Sequence, residues 1–398
     1  MIEVEEAVTR IVATVAPLPA ETVALTESAG RILAENVTAP VSLPGFDNSA
    51  MDGYALMAAD VRQATADKPV TLRCLGTAPA GTHFQGSVQP GTCVRIFTGS
   101  PVPAGADAVV MQEDTRASGD QIKVLDGVKP WENIRLCGED VKAGSVLATS
   151  GTRVSAGVQA VIGATGVSQV RVGRRPLIGL LATGSELKEA GEALAPGQIY
   201  ESNRLALATL VRAAGGTPRA YPLVPDTLDE TRNALGRACS ECDAVITTGG
   251  ASVGDHDYVK AALESLGGTL DFWKVSMKPG KPFVFGRLGG KSLFGLPGNP
   301  VSAFVTFLLL VRPAILKWQG ATDLALPSRP AHLAEPLHNR GPRPHYVRVH
   351  VDGAGQVRST GTQASHMLSS LAPANGLLRV PGDTLLPGGQ PVTVLALE

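Results

Sequence analysis

Three carboxylates, Glu186, Asp226 and Asp257, lie where apolar runs give way to loops, in a stretch that also holds the segment Gly249-Gly250-Ala251-Ser252-Val253-Gly254 and the turn Leu296-Pro297-Gly298-Asn299-Pro300. Glycines after a strand permit positive φ and let backbone N–H groups converge on an anion. Gly249, Gly250, Ser252 and Gly254 have that form, although taken alone they read equally well as a tight turn. Asn299 suits a helix N-cap and Pro300 a first helical residue, so a helix starting there turns unpaired N–H groups and a positive dipole end towards the same crevice, beside Pro297 and Gly298. Three acids beside one phosphate repel it unless a cation intervenes. Mg²⁺ is the natural choice, since it combines one or two carboxylates with phosphate oxygens and water. Each acid taken singly reads as a helix cap or a solvated loop residue; their shared location favours the metal. His256, between two aspartates, reads as a bystander. Finally, Lys274-Val275-Ser276-Met277-Lys278-Pro279-Gly280-Lys281-Pro282 sets three lysines around a rigid turn. Proline fixes the backbone and glycine allows close approach, which describes an oxyanion site, a solvated basic loop being the plainer alternative.

These residues need a scaffold that gathers them. From Pro176 onward, apolar runs alternate with helical patterns at the spacing of parallel βαβ units. Strands are expected at 177–182, 217–224, 244–248, 272–277, 282–285 and 292–296, and helices at 203–214, 229–239, 257–266 and 301–317. In open α/β sheets ligands bind beyond the carboxyl ends of the strands. That rule selects the loops carrying Glu186, Asp226, Gly249–Asp257 and Pro297–Pro300. Residues 177–318 are therefore expected to hold a phosphate-bearing ligand beside a divalent cation, which makes the protein an enzyme.

The rest of the chain is organised around this unit. Its 398 residues exceed one ordinary core. An amphipathic helix opens it, with Val4, Val8, Ile11, Val12 and Val15 at helical spacing. Short strand-like runs follow at 70–75, 93–97 and 108–111, and residues 138–172, with a helix near 156–163, are expected to pack back on the first helix. The fold class is multidomain α/β plus β. Its expected parts are an interrupted N-terminal domain (1–45 and 138–176), a β-rich domain (46–137), a doubly wound α/β domain (177–322) and a C-terminal β-barrel-like domain (323–398).

Lys plus Arg number 35 against 36 Asp plus Glu, so no global basic field exists to hold nucleic acid or anionic lipid. The N-terminus lacks the pattern of a secretory signal, and the apolar run 301–311 is shorter than the roughly 20 residues of a bilayer span. A cytoplasmic protein without membrane contact is expected. Five cysteines, an odd number, suit a reducing compartment, and Cys239-Ser240-Glu241-Cys242, without a second pair, reads as incidental.

Several blocks, in order, resemble one known family: residues 46–55 including Met51-Asp52-Gly53-Tyr54, Phe97-Thr98-Gly99-Ser100-Pro101-Val102-Pro103, Gly138-Glu139-Asp140, and residues 249–258, 278–283 and 296–302. The family is molybdopterin molybdotransferase, the MoeA and gephyrin E-domain proteins, and the resemblance runs the length of the chain. It implies a homodimer whose active site lies between the α/β domain of one subunit and the N-terminal part of the other. It implies a reaction in which molybdate enters the dithiolene of adenylylated molybdopterin, the pyrophosphate link is cleaved with Mg²⁺, and AMP and molybdenum cofactor leave. Contact with the molybdopterin adenylyltransferase follows from that substrate. Glu186, Asp226 and Asp257 resemble the family's cation-associated acids, and Lys274, Lys278 and Lys281 its substrate lysines. Arg348 and Ser365 resemble its molybdate contacts, with Lys278, Lys281 and Ser302. Asp52, Thr98 and Asp140 match functional positions of the first two domains, although Met51–Tyr54 alone reads as a polar loop and Thr98-Gly99 as a hairpin turn. One departure is Ser185, where many relatives carry Asp. The alternatives are the adenylyltransferase, whose loop reads Gly-Gly-Thr-Gly, and a non-enzymatic scaffold.

Overall fold

The computed structural model describes residues 1–249 and 258–397. Its centre is a six-stranded sheet in the order Thr217–Ala220, Leu177–Ala182, Ala244–Thr248, Lys291–Leu296, Val284–Leu288, Thr269–Trp273. The first four strands run parallel and the last two turn antiparallel at one edge. Ala244–Thr248 is buried along its whole length, as expected of a central parallel strand covered on both faces. Phe285, Phe294 and Trp318 pack in succession with ring centroids 5.3 and 6.3 Å apart, filling one face of the sheet.

Several expected strands shift for local reasons. The expected 217–224 strand stops at Ala220, because Pro222 has no N–H to give a ladder. The expected 272–277 strand is Thr269–Trp273, ending where Lys274 takes a left-handed φ of 72°. The 282–285 strand moves to Val284–Leu288. The covering helix, expected as one continuous piece, contains a π-helical turn at Phe307–Val311 between Pro300–Thr306 and Arg312–Trp318. Pro313 cannot donate to the preceding turn, and a π turn absorbs such a break. Together these pieces span Pro300–Trp318, 19 residues of mean hydropathy 1.6, and 78% of the most apolar window is buried in the protein. This is a core helix of the α/β unit.

A second six-stranded sheet is ordered Ala108–Met111, Gly53–Leu56, Thr92–Ile96, Val70–Ala78, Gln121–Val124, Thr115–Ser118. Ser328–Leu333, Gln356–Ser359, His345–Val351, Gly376–Val380 and Pro391–Ala396 close a barrel. Residues before and after the second sheet pair with each other, Ala20–Ala24 against Gln169–Gly173 and Val37–Thr38 against Val146–Ala148. The first helix, Val4–Ala13, is not their partner. Its Val4, Ala7 and Ile11 share the core of the α/β unit with Leu310, Val311 and Ile315, so residues 138–172 do not pack back on it as expected. The apolar face of this helix is legible in sequence; which of two apolar surfaces it covers is not.

Candidate active site

The loops at the carboxyl ends of the parallel strands converge as the topology requires. Thr183 N–H donates to Thr248 O at 3.0 Å and Gly184 N–H to Val224 O at 3.1 Å, locking two strand ends and the segment after the Thr217–Ala220 strand together. Gly249 has φ 85°, and a Cβ there would stand 2.3 Å from the Thr183 carbonyl oxygen, so only glycine fits. Asn203, first residue of the Asn203–Ala213 helix, donates from Nδ2 to Thr248 Oγ1 (2.6 Å) and to Gly298 O (2.8 Å). It thereby ties two ligand loops into one floor.

Above that floor lies a cavity of about 580 Å³, lined among others by Glu186, Tyr200, Asn203, Gly249, Gly298 and Asn299. Asp226 is joined to the loop of Ser185 by a reciprocal pair: Ser185 N–H donates to Asp226 Oδ2 and Asp226 N–H donates to the Ser185 hydroxyl oxygen, both at 3.1 Å. Ser185 therefore acts here as a loop tie. Asn299 occupies the N-cap position but its side chain makes no capping bond. Instead, Val301 N–H donates to Ser365 O at 3.1 Å, so a barrel loop docks on this helix start.

A second cavity, of about 690 Å³, adjoins the first and shares Pro282, Pro297 and Asn299 with it. Lys278, Lys281, Ser302, Arg343 and Ser365 line it. Its lysine turn is shaped by Gly280, at φ 108°, where a Cβ would lie 2.4 Å from Thr306 Cγ2. The barrel braces the same turn: Lys278 N–H donates to Pro344 O (2.9 Å) and Tyr346 N–H to Lys278 O (2.8 Å). Chemically, one cavity offers glycine backbone, side-chain amides and carboxylates, whereas its neighbour offers Lys278, Lys281 and Arg343 with the hydroxyls of Ser302, Thr362 and Ser365. The pair suits a ligand with a phosphate-bearing half and a site for a separate oxyanion.

Known proteins place this architecture. Three family models match in order: the MoeA N-terminal region (domain I and II) over residues 2–166, a probable molybdopterin binding domain over 179–317, and the MoeA C-terminal region (domain IV) over 330–397. The chain belongs to the MoeA family of molybdopterin molybdenumtransferases. A molybdopterin molybdenumtransferase of Haemophilus influenzae is 40% identical over 367 residues, covering 90% of this chain and 89% of that one. One from Bacillus subtilis is 37% identical over 405 residues, covering 100% and 94%. A crystal structure of a molybdopterin biosynthesis MoeA protein from Pyrococcus horikoshii OT3 superposes with a TM-score of 0.87 at 32% identity, covering 100% of both chains.

Within this MoeA-family chain the expected site residues separate into groups. Glu186, Gly249, Pro297, Gly298 and Asn299 line the first cavity, and Lys278, Lys281, Ser302 and Ser365 the second. Gly250, Ser252, Gly254 and Asp257 lie outside the described residues. Among the described residues no group of three His, Cys, Asp or Glu side chains stands close enough to hold a metal ion. Lys274 lines neither cavity; its ammonium sits 3.8 Å from the centroid of the Trp273 ring, a cation–π contact.

Arg348 is fully buried and is not among the residues that line the two cavities. Its Nε donates to Ser370 Oγ (3.0 Å) and its NH2 to the Thr362 (3.0 Å) and Ala364 (3.2 Å) carbonyls, fastening the loop that presents Ser365. Burial pulls its pKa down to about 10. The guanidinium that does line the lysine cavity is Arg343, whose NH1 also donates to Met277 O at 2.8 Å. Sequence reasoning missed it, although Pro342-Arg343-Pro344 has the same rigid form as the lysine turn. Asn203 was missed too, and nothing in its local sequence announces two long-range bonds.

Asp52 and Thr98 form a unit on the second sheet. The Thr98 N–H and hydroxyl both donate to Asp52 Oδ1 at 2.8 Å, and these bonds, helped by Arg95, hold the carboxyl below its usual range. Asp140 follows in a loop whose N–H donates to Leu43 O. None of the three lines the two cavities. Cys239 and Cys242 are both buried, and burial pushes Cys239 up to about 11, which favours the neutral thiol.

Proposed function

We propose that this protein inserts molybdate into the dithiolene of adenylylated molybdopterin and releases AMP and molybdenum cofactor. The carrying observation is the pair of adjoining cavities that meet at Pro282, Pro297 and Asn299. In this reading the first cavity takes the nucleotide and pyrophosphate through Gly249, Gly250, Ser252, Gly254, Pro297, Gly298 and Asn299. The second takes molybdate through Lys278, Lys281, Ser302, Ser365 and Arg343. Preorganised cations and N–H groups lower the cost of gathering two anions before they react. Lys274, held over Trp273, and Asp52, Thr98 and Asp140 complete the site, the last three from the partner subunit of a homodimer.

Mg²⁺ fits the acidic edge. Glu186 lines the cavity, and Asp226 has one carboxylate oxygen engaged by the Ser185 N–H, leaving the other open to a cation. One or two carboxylates are what this ion takes alongside phosphate. When bound, the ion would neutralise pyrophosphate charge. The reading places the protein in the cytoplasm, in contact with the molybdopterin adenylyltransferase. It also divides the chain at 1–45 with 138–176, 46–137, 177–322 and 323–398, with the first helix of the first unit packed on the third.

Purified protein given Mg²⁺, molybdate and adenylylated molybdopterin is expected to release AMP in proportion to cofactor formed, and Asp257→Ala to lose turnover while keeping its fold. AMP released equally well without molybdate, with no cofactor formed, would mark a simple hydrolase. ATP-dependent adenylylation of molybdopterin would instead favour the preceding enzyme, and absence of any turnover a scaffold.

A further inference from the structure

We infer that the C-terminal barrel carries a second oxyanion site, a cavity of about 360 Å³ lined by Lys278, His338, Arg340, His345 and Gln363, next to the lysine cavity. Lys278 and Gln363 line both spaces. Among the described residues no carboxylate lines this one, although acids and bases are almost equal in number along the chain. Like charges gathered without a counter-charge repel one another, and an anion between them removes that cost.

The cluster is built rather than incidental. Asn339, which is 2% exposed, anchors its segment by donating from Nδ2 to the carbonyls of Arg343 (2.8 Å) and Pro381 (2.9 Å). The flanking His338 and Arg340 are thereby held at the cavity. Arg340 Nε donates to His338 Nδ1 at 3.2 Å, which leaves the His338 proton on Nε2 and the terminal guanidinium nitrogens free to face a ligand. His345 is 6% exposed, and among the described residues its Nε2 has no hydrogen-bond partner. Burial, then Lys278, Arg348 and Arg343, push this imidazole down to about 4, which reports how positive the surroundings are. Donors fixed in advance lose little freedom on binding.

The class of ligand is a small tetrahedral dianion. Naming molybdate as the occupant, stored one lysine away from where it reacts, rests on the proposed function; the oxyanion class does not.

The test is equilibrium dialysis of the full chain against molybdate, with sulfate and phosphate in parallel arms at constant ionic strength. Two molybdate per chain are expected. Arg343→Ala should remove the one in the lysine cavity. Arg340→Ala, an exposed position that tolerates truncation, should weaken the other by about tenfold or more, the loss of a charge-assisted hydrogen bond, and Arg340→Lys should restore part of it. In turnover, Arg340→Ala should raise the KM for molybdate severalfold and leave kcat within twofold. No more than one equivalent of any of the three oxyanions bound by the unmodified protein, or two that Arg340→Ala leaves untouched, overturns the site. An Arg340-dependent site that takes sulfate or phosphate and refuses molybdate overturns the storage role and keeps the oxyanion class. Two equivalents bound by a protein that never releases AMP sink the reaction and spare the site.

Discussion

Arg348 is fastened inside the protein beside the lysine cavity. A guanidinium near an oxyanion site invites a direct contact, yet all the acceptors of this one are neutral groups of residues 360–370 and their neighbours. Removing a buried donor leaves those acceptors unpaired, at about 1–3 kcal/mol each. Arg348→Met is therefore expected to speed amide hydrogen exchange across residues 361–370 and raise the KM for molybdate. Arg343→Ala should raise that KM with the exchange unchanged. If Arg348→Met left loop exchange at its original rate, the fastening role would fail. Burial decides between the two arginines, and burial depends on the closed barrel, which lies beyond the reach of local sequence.

At the scale of elements, strand ends had to be sewn together before any loop could bind. Asp243 does this at the opposite edge: its Oδ2 accepts from Leu177 N–H (2.8 Å), and Arg174 donates to both its oxygens (2.8 and 3.0 Å). Burial opposes its ionisation, but Arg174 and the Leu177 N–H outweigh that and keep the carboxyl below its usual value. A depressed folded pKa means that this stabilisation is present above the unfolded value of 3.8 and is lost as pH falls through the folded one. Asp243→Asn should cost roughly 1–3 kcal/mol near neutral pH by urea denaturation, a deficit that shrinks below about pH 4. An equal deficit at pH 3 and pH 7 would refute the electrostatic account. Apart from shifts of a few residues, the strands and helices of the α/β unit were legible from periodicity and from Gly215, Gly267 and their like. The π turn at Phe307–Val311 and the open cap at Asn299 were not, since one answers Pro313 and the other a barrel carbonyl.

Over the whole molecule, Asp52, Thr98 and Asp140 stand on different units from the two cavities, while Phe46, Met51 and Leu136 beside them are exposed apolar side chains. The proposed completion of the site by a partner subunit makes a plain forecast. Mixed dimers of Asp52→Ala and Glu186→Ala chains should recover about a quarter of normal activity, because half the dimers are mixed and half their sites intact. Activity no greater than that of the two variants apart would assign Asp52 to its own chain. Acidity is a further global test. His345 is neutral when folded, its pKa falling from 6.5 to about 4, so the unfolded chain binds the extra proton. Full stability is present above pH 6.5 and is lost as pH drops towards 4, a slope that His345→Gln should flatten in thermal unfolding.

The amino-acid sequence by itself determined the chemistry on offer. Glycines that alone tolerate positive φ, lysines spaced by a rigid Pro-Gly turn and acids after apolar runs are local facts, set by sterics and periodicity within a few residues. The blocks that mark the MoeA family are equally local. Only the tertiary structure decided which groups meet: Asn203 with Gly298, Ser365 with the start of the Pro300 helix, and Arg343 rather than Arg348 in the lysine cavity. Those choices depend on how a barrel and a sheet far apart in the chain fit against each other, and burial of that kind is a sum over long-range contacts that no short window of residues contains.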